Sequence, residues 1–459
     1  MAKKLNSVLG IDIGSQRIKV CEVKTQGREP VVTALGIIDT PEGAVDHTGV
    51  YNSDAVGAAL KQVLSESGAT TSNAVVTIAG QASVLVRTLE VPRMNAAELK
   101  EHMLWEINRN IPFAESDVMS DYKPLGGDDP NSPNMDVVMA ISPKSAVDTI
   151  MACLKRAGRN AVAIDVEPLS IARSVQTSYG DVLADKTICM IEMGSKTTSI
   201  NIYRGSKLLM PRQVPLGGEM FTKAIADALA TSVTDAESIK LERAEIPESA
   251  IAGANQQIAG FGGDFQNYNP FGDDYAAPTY TPEPTISTNP FAEPVNPFAA
   301  ADQSPNPYDA PASYAHVSDP YGSPDPAVAS EPPVAEPDVT PHHDPYADTT
   351  PAVVEDAEVL RLYHAFAPVL DELVSEVRRS IDYYRSRGGE VDVIELLGGG
   401  TRLKGLTAYI TNAIGIQCDA YDPLRRLNMN VRKVPPAFVE EHRQEFAVAV
   451  GNGLHIFFD

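Results

Sequence analysis

Apolar and polar positions alternate with period two at the start of the chain. The pattern predicts strands over Val8–Ile13, Ile18–Val23 and Val31–Ile37. A helical period follows at Ser53–Ser67, with Ser53 or Asp54 as its cap and Gly68 as its stop. Strands are expected at Ala74–Ala79 and Val84–Val91. The run MNAAELKEHMLWEINRNIPF then places Leu99, Met103, Leu104 and Ile107 on one helical face. Asn95 and Glu98 form a capping box, and Asn110 and Pro112 close the helix. Further strands are read near Val118–Tyr122, Met135–Ile141 and Ala161–Val166. One helix starts at Ser142–Pro143, and another opens at Glu167.

The opening pattern then returns. Strands are expected at Thr187–Glu192, Thr197–Tyr203 and Lys207–Val214, followed by a glycine pair and a helix. Each half begins with three antiparallel strands, and each first hairpin carries acid-x-Gly-Ser: Asp12-Ile13-Gly14-Ser15 and Glu192-Met193-Gly194-Ser195. The offset of 180 residues marks an internal duplication. A long helical period resumes over Leu360–Ile381, with a kink expected at Pro368. A buried strand, VDVIELL, then meets GGGTRLKGL.

Composition changes the picture in one region. The chain has 459 residues and a net charge of −24, which argues against a nucleic-acid binder held by phosphate contacts. Yet residues 261–356 hold 16 acidic residues and no Lys or Arg, and residues 253–356 hold 19 of the 35 prolines. NPF recurs at Asn269, Asn289 and Asn296, NPY stands at Asn306, and DPY at Asp319 and Asp344. Such a segment buries too little apolar area to offset the cost of ordering it, so it reads as a disordered insertion. Its motifs are either linear recruitment signals or part of a solvated tether. The four cysteines make no CxxC pair, which excludes a zinc knuckle. Asp12 interrupts the first apolar run too early for a signal peptide, and no run of about 18 apolar residues exists to cross a membrane.

The chemistry concentrates in the turns. Gly14 lets backbone N–H groups approach an anion, Ser15 adds a hydroxyl, Lys19 neutralises phosphate charge, and Asp12 faces Mg²⁺ through water. Read alone, this is an ordinary polar hairpin. The second hairpin, with Glu192, Gly194, Ser195 and Thr197, turns the pair into a clamp for a phosphate chain. Gly398 and Gly399, after a buried strand, suit a flat adenine or ribose, with Arg402 able to stack on it. Glu237 and Lys240 share a helical face and are either a surface ion pair or a ribose contact. Gly217 and Gly218 either open a helix or touch phosphate. No Ser/His/Asp or Cys/His arrangement and no evident catalytic base can be read from the sequence.

Taken together, LGIDIGSQRIKV, the IPF-terminated helix, AIDVEPLSIARSV, IEMGSKTTSINIYRG, AESIK and ELLGGGTRLKGL resemble the actin/hexokinase/chaperone superfamily. Within it they resemble the PilM family of type IV pilus assembly proteins, relatives of FtsA. The resemblance covers roughly residues 5–243 and 356–455. It implies an α/β fold, a duplicated actin-like (ribonuclease-H-like) nucleotide-binding fold of two lobes. The boundaries would be 5–84 and 142–184 for the first lobe, 85–141 for an inserted docking subdomain, and 185–252 and 357–459 for the second lobe. The disordered acidic loop would occupy 253–356.

The resemblance also implies ATP and Mg²⁺ as ligands. Asp12, Gly14, Ser15, Gln16 and Lys19 would form the first phosphate motif, and Glu192, Gly194, Ser195 and Thr197 the second. Gly217 and Gly218 would lie near the phosphates, Glu237 and Lys240 by the ribose, and Gly398, Gly399, Gly400 and Arg402 by the adenosine. Asp12 and Glu192 would hold the metal through water. It implies a cytoplasmic adaptor bound to the tail of a PilN-like inner-membrane protein, with other pilus proteins and self-association as further contacts. Glu192 departs from the Asp usual at its place, which puts hydrolysis in question more than binding. An FtsA-like membrane scaffold and a small-molecule kinase are the alternatives.

Overall fold

The computed structural model describes residues 5–114, 117–126, 131–257 and 356–458. The chain divides into two units, residues 1–278 with 355–459, and residues 279–354; the second lies outside the described residues. So does almost all of the acidic insertion with its NPF, NPY and DPY motifs.

The first lobe opens with β1 (Ser7–Ile13), β2 (Arg17–Gln26) and β3 (Glu29–Asp39), an antiparallel meander. Helix α1 (Ser53–Ser67) crosses to β4 (Asn73–Ile78), parallel to β1. Its N-cap is Asn52, whose side chain accepts from Ala55 N–H, one residue earlier than the Ser53 or Asp54 expected. Asn, Ser and Asp all cap well, and the backbone of Asn52 is the one turned away from helical values. Gly68 ends the helix in the left-handed conformation at φ 76°.

After β4 the chain leaves the sheet. β5 (Leu85–Pro92), α2 (Ala96–Arg109), β6 (Val118–Pro124) and β7 (Asn134–Pro143) form a separate three-stranded sheet ordered β5-β7-β6. The capping box of Asn95 and Glu98 is formed, and Leu99, Met103 and Ile107 bury against the sheet. Leu104 is 55% exposed instead: at its helical angle it faces away from β5 and β7 beside Trp105. The chain returns through α3 (Lys144–Arg156) and β8 (Asn160–Val166) to α4 (Glu167–Tyr179).

The second lobe repeats the plan with β9 (Thr187–Met193), β10 (Thr198–Arg204), β11 (Lys207–Met210) and β12 (Gln213–Val214). Pro211 splits the single strand expected over Lys207–Val214 into two, because it has no N–H for the ladder. Helices α5 (Gly218–Leu229), α6 (Val233–Arg243) and α7 (Glu248–Gln257) precede α8 (Ala357–Ser386). α8 runs its full 30 residues through Pro368. The expected kink is not an interruption: buried Phe366, Leu370, Leu373 and Val374 hold both sides of the proline against one core.

β13 (Val393–Leu397), α9 (Leu406–Ile414) and β14 (Cys418–Ala420) complete the second sheet. β15 (Asn428–Met429) joins the edge of the first, and α10 (Pro436–His442) and α11 (Ala447–Gly453) close the chain. The sheet orders are β15-β3-β2-β1-β4-β8 and β11-β10-β9-β13-β14, so β1, β2 and β4 correspond to β9, β10 and β13. All four cysteines are buried.

Helices α4 and α11 form the floor between the lobes. A Cβ on Gly451 would lie 1.9 Å from the Ser170 carbonyl oxygen, and one on Gly10 would lie 1.9 Å from that of Ala449. Only glycine permits these approaches. Asn452, fully buried, donates to Ile11 O and Thr77 Oγ1 and accepts from Ser170 Oγ. One amide thus joins β1, β4, α4 and α11.

Candidate functional site

The two equivalent turns face one another across the cleft above that floor. In the first, Gly14 N–H donates to Arg17 O at 3.1 Å, and a Cβ at Gly14 would come within 2.8 Å of that oxygen. In the second, Gly194 N–H donates to Thr197 O at 2.9 Å. The start of α5 backs onto this turn: Gly218 N–H donates to Gly194 O and Glu219 N–H to Ser195 O.

One pocket is lined by Asp12, Gly14, Ser15, Gln16 and Lys19 from the first turn and by Glu192, Gly194, Ser195 and Thr197 from the second. Lys19 Nζ donates to Asp12 Oδ2 at 3.0 Å. Burial disfavours the Lys19 ammonium, but Asp12, Glu192 and Glu445 around it hold its pKa above the usual lysine value. Burial also drives the Glu192 carboxyl well upward, with the neighbouring Glu167 acting in the same direction.

A second pocket continues from the first. Gly218, Glu237, Lys240, Gly399, Gly400 and Arg402 line it, with apolar Phe221, Leu241 and Leu403. Glu237 and Lys240 are not a surface pair: Lys240 Nζ donates to Glu237 Oε2 at 2.7 Å, Thr222 Oγ1 at 2.8 Å and Gly218 O at 3.1 Å, largely out of solvent. Arg402 stands at the rim and donates to Glu441 Oε1 at 2.6 Å.

Two residues named from the sequence line neither pocket. Gly217 packs against the Ser195 carbonyl, where a Cβ would sit at 2.4 Å, so it seats α5 behind the turn. Gly398, at φ 85°, makes the corner against Met193 O that lets Gly399 and Gly400 reach the pocket.

Sequence reading missed Glu167, Arg17 and Glu445. Glu167 opens α4 and projects into the first pocket, accepting from Ser199 Oγ at 3.0 Å and Asn201 Nδ2 at 3.4 Å, both on β10. Burial lifts its carboxyl to about 7; the Ser199 hydrogen bond opposes this and the Asp12 charge reinforces it. An acid at the first position of a helix entered directly from a strand was the available signal. It reads as dipole compensation until the cleft is seen.

Among the described residues no group of three or more His, Cys, Asp or Glu is arranged to hold a bare metal ion. The pocket nevertheless gathers Asp12, Glu167, Glu192 and Glu445 around Lys19 and Arg17. Burial holds Glu192 and Glu167 toward their neutral forms there. A divalent cation that keeps its waters and takes its remaining oxygens from a phosphate chain, the habit of Mg²⁺, would draw both back to carboxylates.

Comparison with known proteins follows this geometry. A family model described as Type IV pilus assembly protein PilM matches residues 10–252, more than half of the chain. The chain belongs to the PilM family. A second model, Cell division protein FtsA, matches residues 189–451, overlapping the first and running through the second lobe. FtsA of Bacillus subtilis is 28% identical over 124 residues, 25% of this chain and 28% of that protein. FtsA of Neisseria meningitidis serogroup B is 30% identical over 97 residues, 21% of this chain and 23% of its own length. The chain therefore spans about a quarter of the length of these curated relatives. A solved PilM-PilN type IV pilus biogenesis complex is similar across 100% of both chains, with a TM-score of 0.68 at 22% identity. The duplicated fold of this PilM-family chain is actin-like. No helix among its described residues is long and apolar enough to cross a membrane.

Proposed function

We propose that this PilM-family protein binds MgATP between its lobes and acts as a nucleotide-dependent cytoplasmic adaptor of type IV pilus assembly. The observation that carries the reading is the facing of two equivalent acid-x-Gly-Ser turns across one pocket. The turns would grip the phosphates from both sides with backbone N–H groups and the Ser15 and Ser195 hydroxyls. Asp12 and Glu192 would hold the water shell of the metal. Lys240 and Glu237 would meet the ribose, and the Gly399–Gly400 corner the base. Bound Mg²⁺ would supply charge neutralisation of the triphosphate. Glu167, which lines the pocket and bonds to β10, would take a proton from water there. Glu192, one methylene longer than the Asp usual at its place, would displace the metal or its water and so favours slow turnover, with nucleotide serving chiefly as a structural ligand.

The partner proposed is the cytoplasmic tail of a PilN-like inner-membrane protein, in line with the complex named above. Titration calorimetry of the full chain with MgATP tests the first half: heat is expected for the wild type and none for Asp12→Ala. A pull-down with a PilN-type tail peptide, with and without ATP, tests the second, with greater recovery expected in ATP. The FtsA model match favours one other reading, a membrane-associated scaffold. Flotation of the isolated protein with liposomes would support that reading over the adaptor.

A further inference from the structure

The phosphate pocket and the adenosine pocket share six lining residues: Gln16, Arg17, Gly194, Ser195, Gly399 and Glu445. A nucleotide spanning both pockets must pass this neck, and two of the six carry opposite charges. Arg17 begins β2, and its carbonyl closes the Gly14 turn. Its Nη1 donates to Glu445 Oε1 at 3.0 Å and Oε2 at 3.2 Å. Glu445 is buried in the short turn after α10 and lies 2.8 Å through Oε1 from His442 Nδ1. The same turn is tied to the glycine corner, where Gly398 N–H donates to Gln444 O at 3.1 Å. Among the described residues the other acid against Arg17 is the exposed Asp39, 3.9 Å from Nε.

A fixed carboxylate beside a phosphate chain repels it. Burial would raise the Glu445 carboxyl, but the His442 hydrogen bond, Arg17 and Lys19 hold it down at about 2, so it stays charged at any physiological pH. A guanidinium offers five donors in a fixed fork, and Arg17 spends one nitrogen on Glu445. Arg17 itself lines both pockets at the neck.

We infer that Arg17 is a phosphate-binding residue of the proposed nucleotide site, that its guanidinium screens Glu445 from the phosphates, and that Glu445 with His442 is the positioning pair that aims it. This rests on the nucleotide reading and extends it to a residue outside both acid-x-Gly-Ser motifs.

The test is a double-mutant cycle in the full chain, with MgATP, MgADP and adenosine measured by calorimetry and competition. Arg17→Ala is expected to weaken MgATP and MgADP at least tenfold, because it removes a cation and bares Glu445, while adenosine changes less than twofold. Glu445→Gln is expected to leave MgATP equal or a few-fold tighter. The double variant should regain the part of the loss that comes from the bared Glu445 and stay weaker than Glu445→Gln alone, the remaining deficit being Arg17's own phosphate contact. Circular dichroism confirms folding of each, and Arg17→Lys, which keeps the charge without the fork, should fall between wild type and Ala. The inference is overturned if Arg17→Ala weakens all three ligands alike, if it weakens none, or if Glu445→Gln gives no rescue. Absence of any wild-type heat with MgATP would overturn the nucleotide reading itself, and this inference with it.

Discussion

At Gly451 a methyl group has nowhere to go, because the Ser170 carbonyl would stand 1.9 Å from it. Gly451→Ala must push α11 off α4 and disturb the Asn452 hydrogen bonds one residue on. A loss of about 1–3 kcal/mol or more is expected in denaturant unfolding. Gly253→Ala, facing open space on α7, should be neutral or slightly stabilising in the same experiment. Glu167 carries a chemical prediction. Glu167→Gln should keep MgATP binding within a few-fold and abolish whatever slow hydrolysis the wild type shows, read as phosphate release. Only the ionised carboxylate can accept a proton. With its carboxyl raised to about 7, wild-type turnover should climb as pH rises from 6 to 8. A flat profile would remove Glu167 from that role. Neither residue stood out in the sequence. Glu167 has its partners 32 and 34 positions away, and Arg17 meets Glu445 across 428. Spacing arguments reach only neighbours on one helix or hairpin.

Elements whose logic is local were legible, and those fixed by tertiary packing were less so. The hairpin β1–β2 follows from alternation and a turn glycine, and α2 follows from its capping box and apolar stripe. The limits of β11 and β12, and the continuity of α8 through Pro368, depend on what lies against them. β13 holds a burden that its apolar run conceals. Glu395 on this strand is 4% exposed, and its Oε2 has no hydrogen-bond partner. Burial, with Asp419 adding to it, lifts the carboxyl to about 8. The folded chain therefore keeps a proton that the unfolded chain releases near pH 4.5. Stability from this group is full below that pH and is lost progressively up to about 8. Glu395→Gln should abolish this slope and stabilise the protein at pH 7.5 by on the order of 1–3 kcal/mol, seen as a rise in denaturation midpoint that vanishes near pH 4.5.

The duplication of the whole molecule is legible in the sequence, because two turns of the same layout stand 180 residues apart. The helices of the floor are legible too, α4 as a helix opening at Glu167 and the C-terminal run as a buried closing helix; that they meet each other is not, since the Gly451–Ser170 approach joins positions 281 apart and gives no periodic signal. If nucleotide bridges the lobes, it binds the folded chain alone, and melting must respond by mass action. MgATP at a hundred times its dissociation constant should add about 2.7 kcal/mol and raise the melting temperature by several degrees. Asp12→Ala should melt at one temperature with or without it. An unchanged wild-type melt at millimolar MgATP would count against a ligand that spans both halves.

The contact of Gly451 with Ser170 sets what such a ligand can do mechanically. Two backbones that touch without side chains between them act as a pivot: the halves can turn about it, but they cannot slide apart without breaking the amide tie at Asn452. Any change that a bound ligand imposed at the cleft would then reach the three-stranded subdomain as a rotation. Its reach grows with distance from the pivot, so a small change of angle at the phosphates becomes a larger displacement at the outer edge of β6.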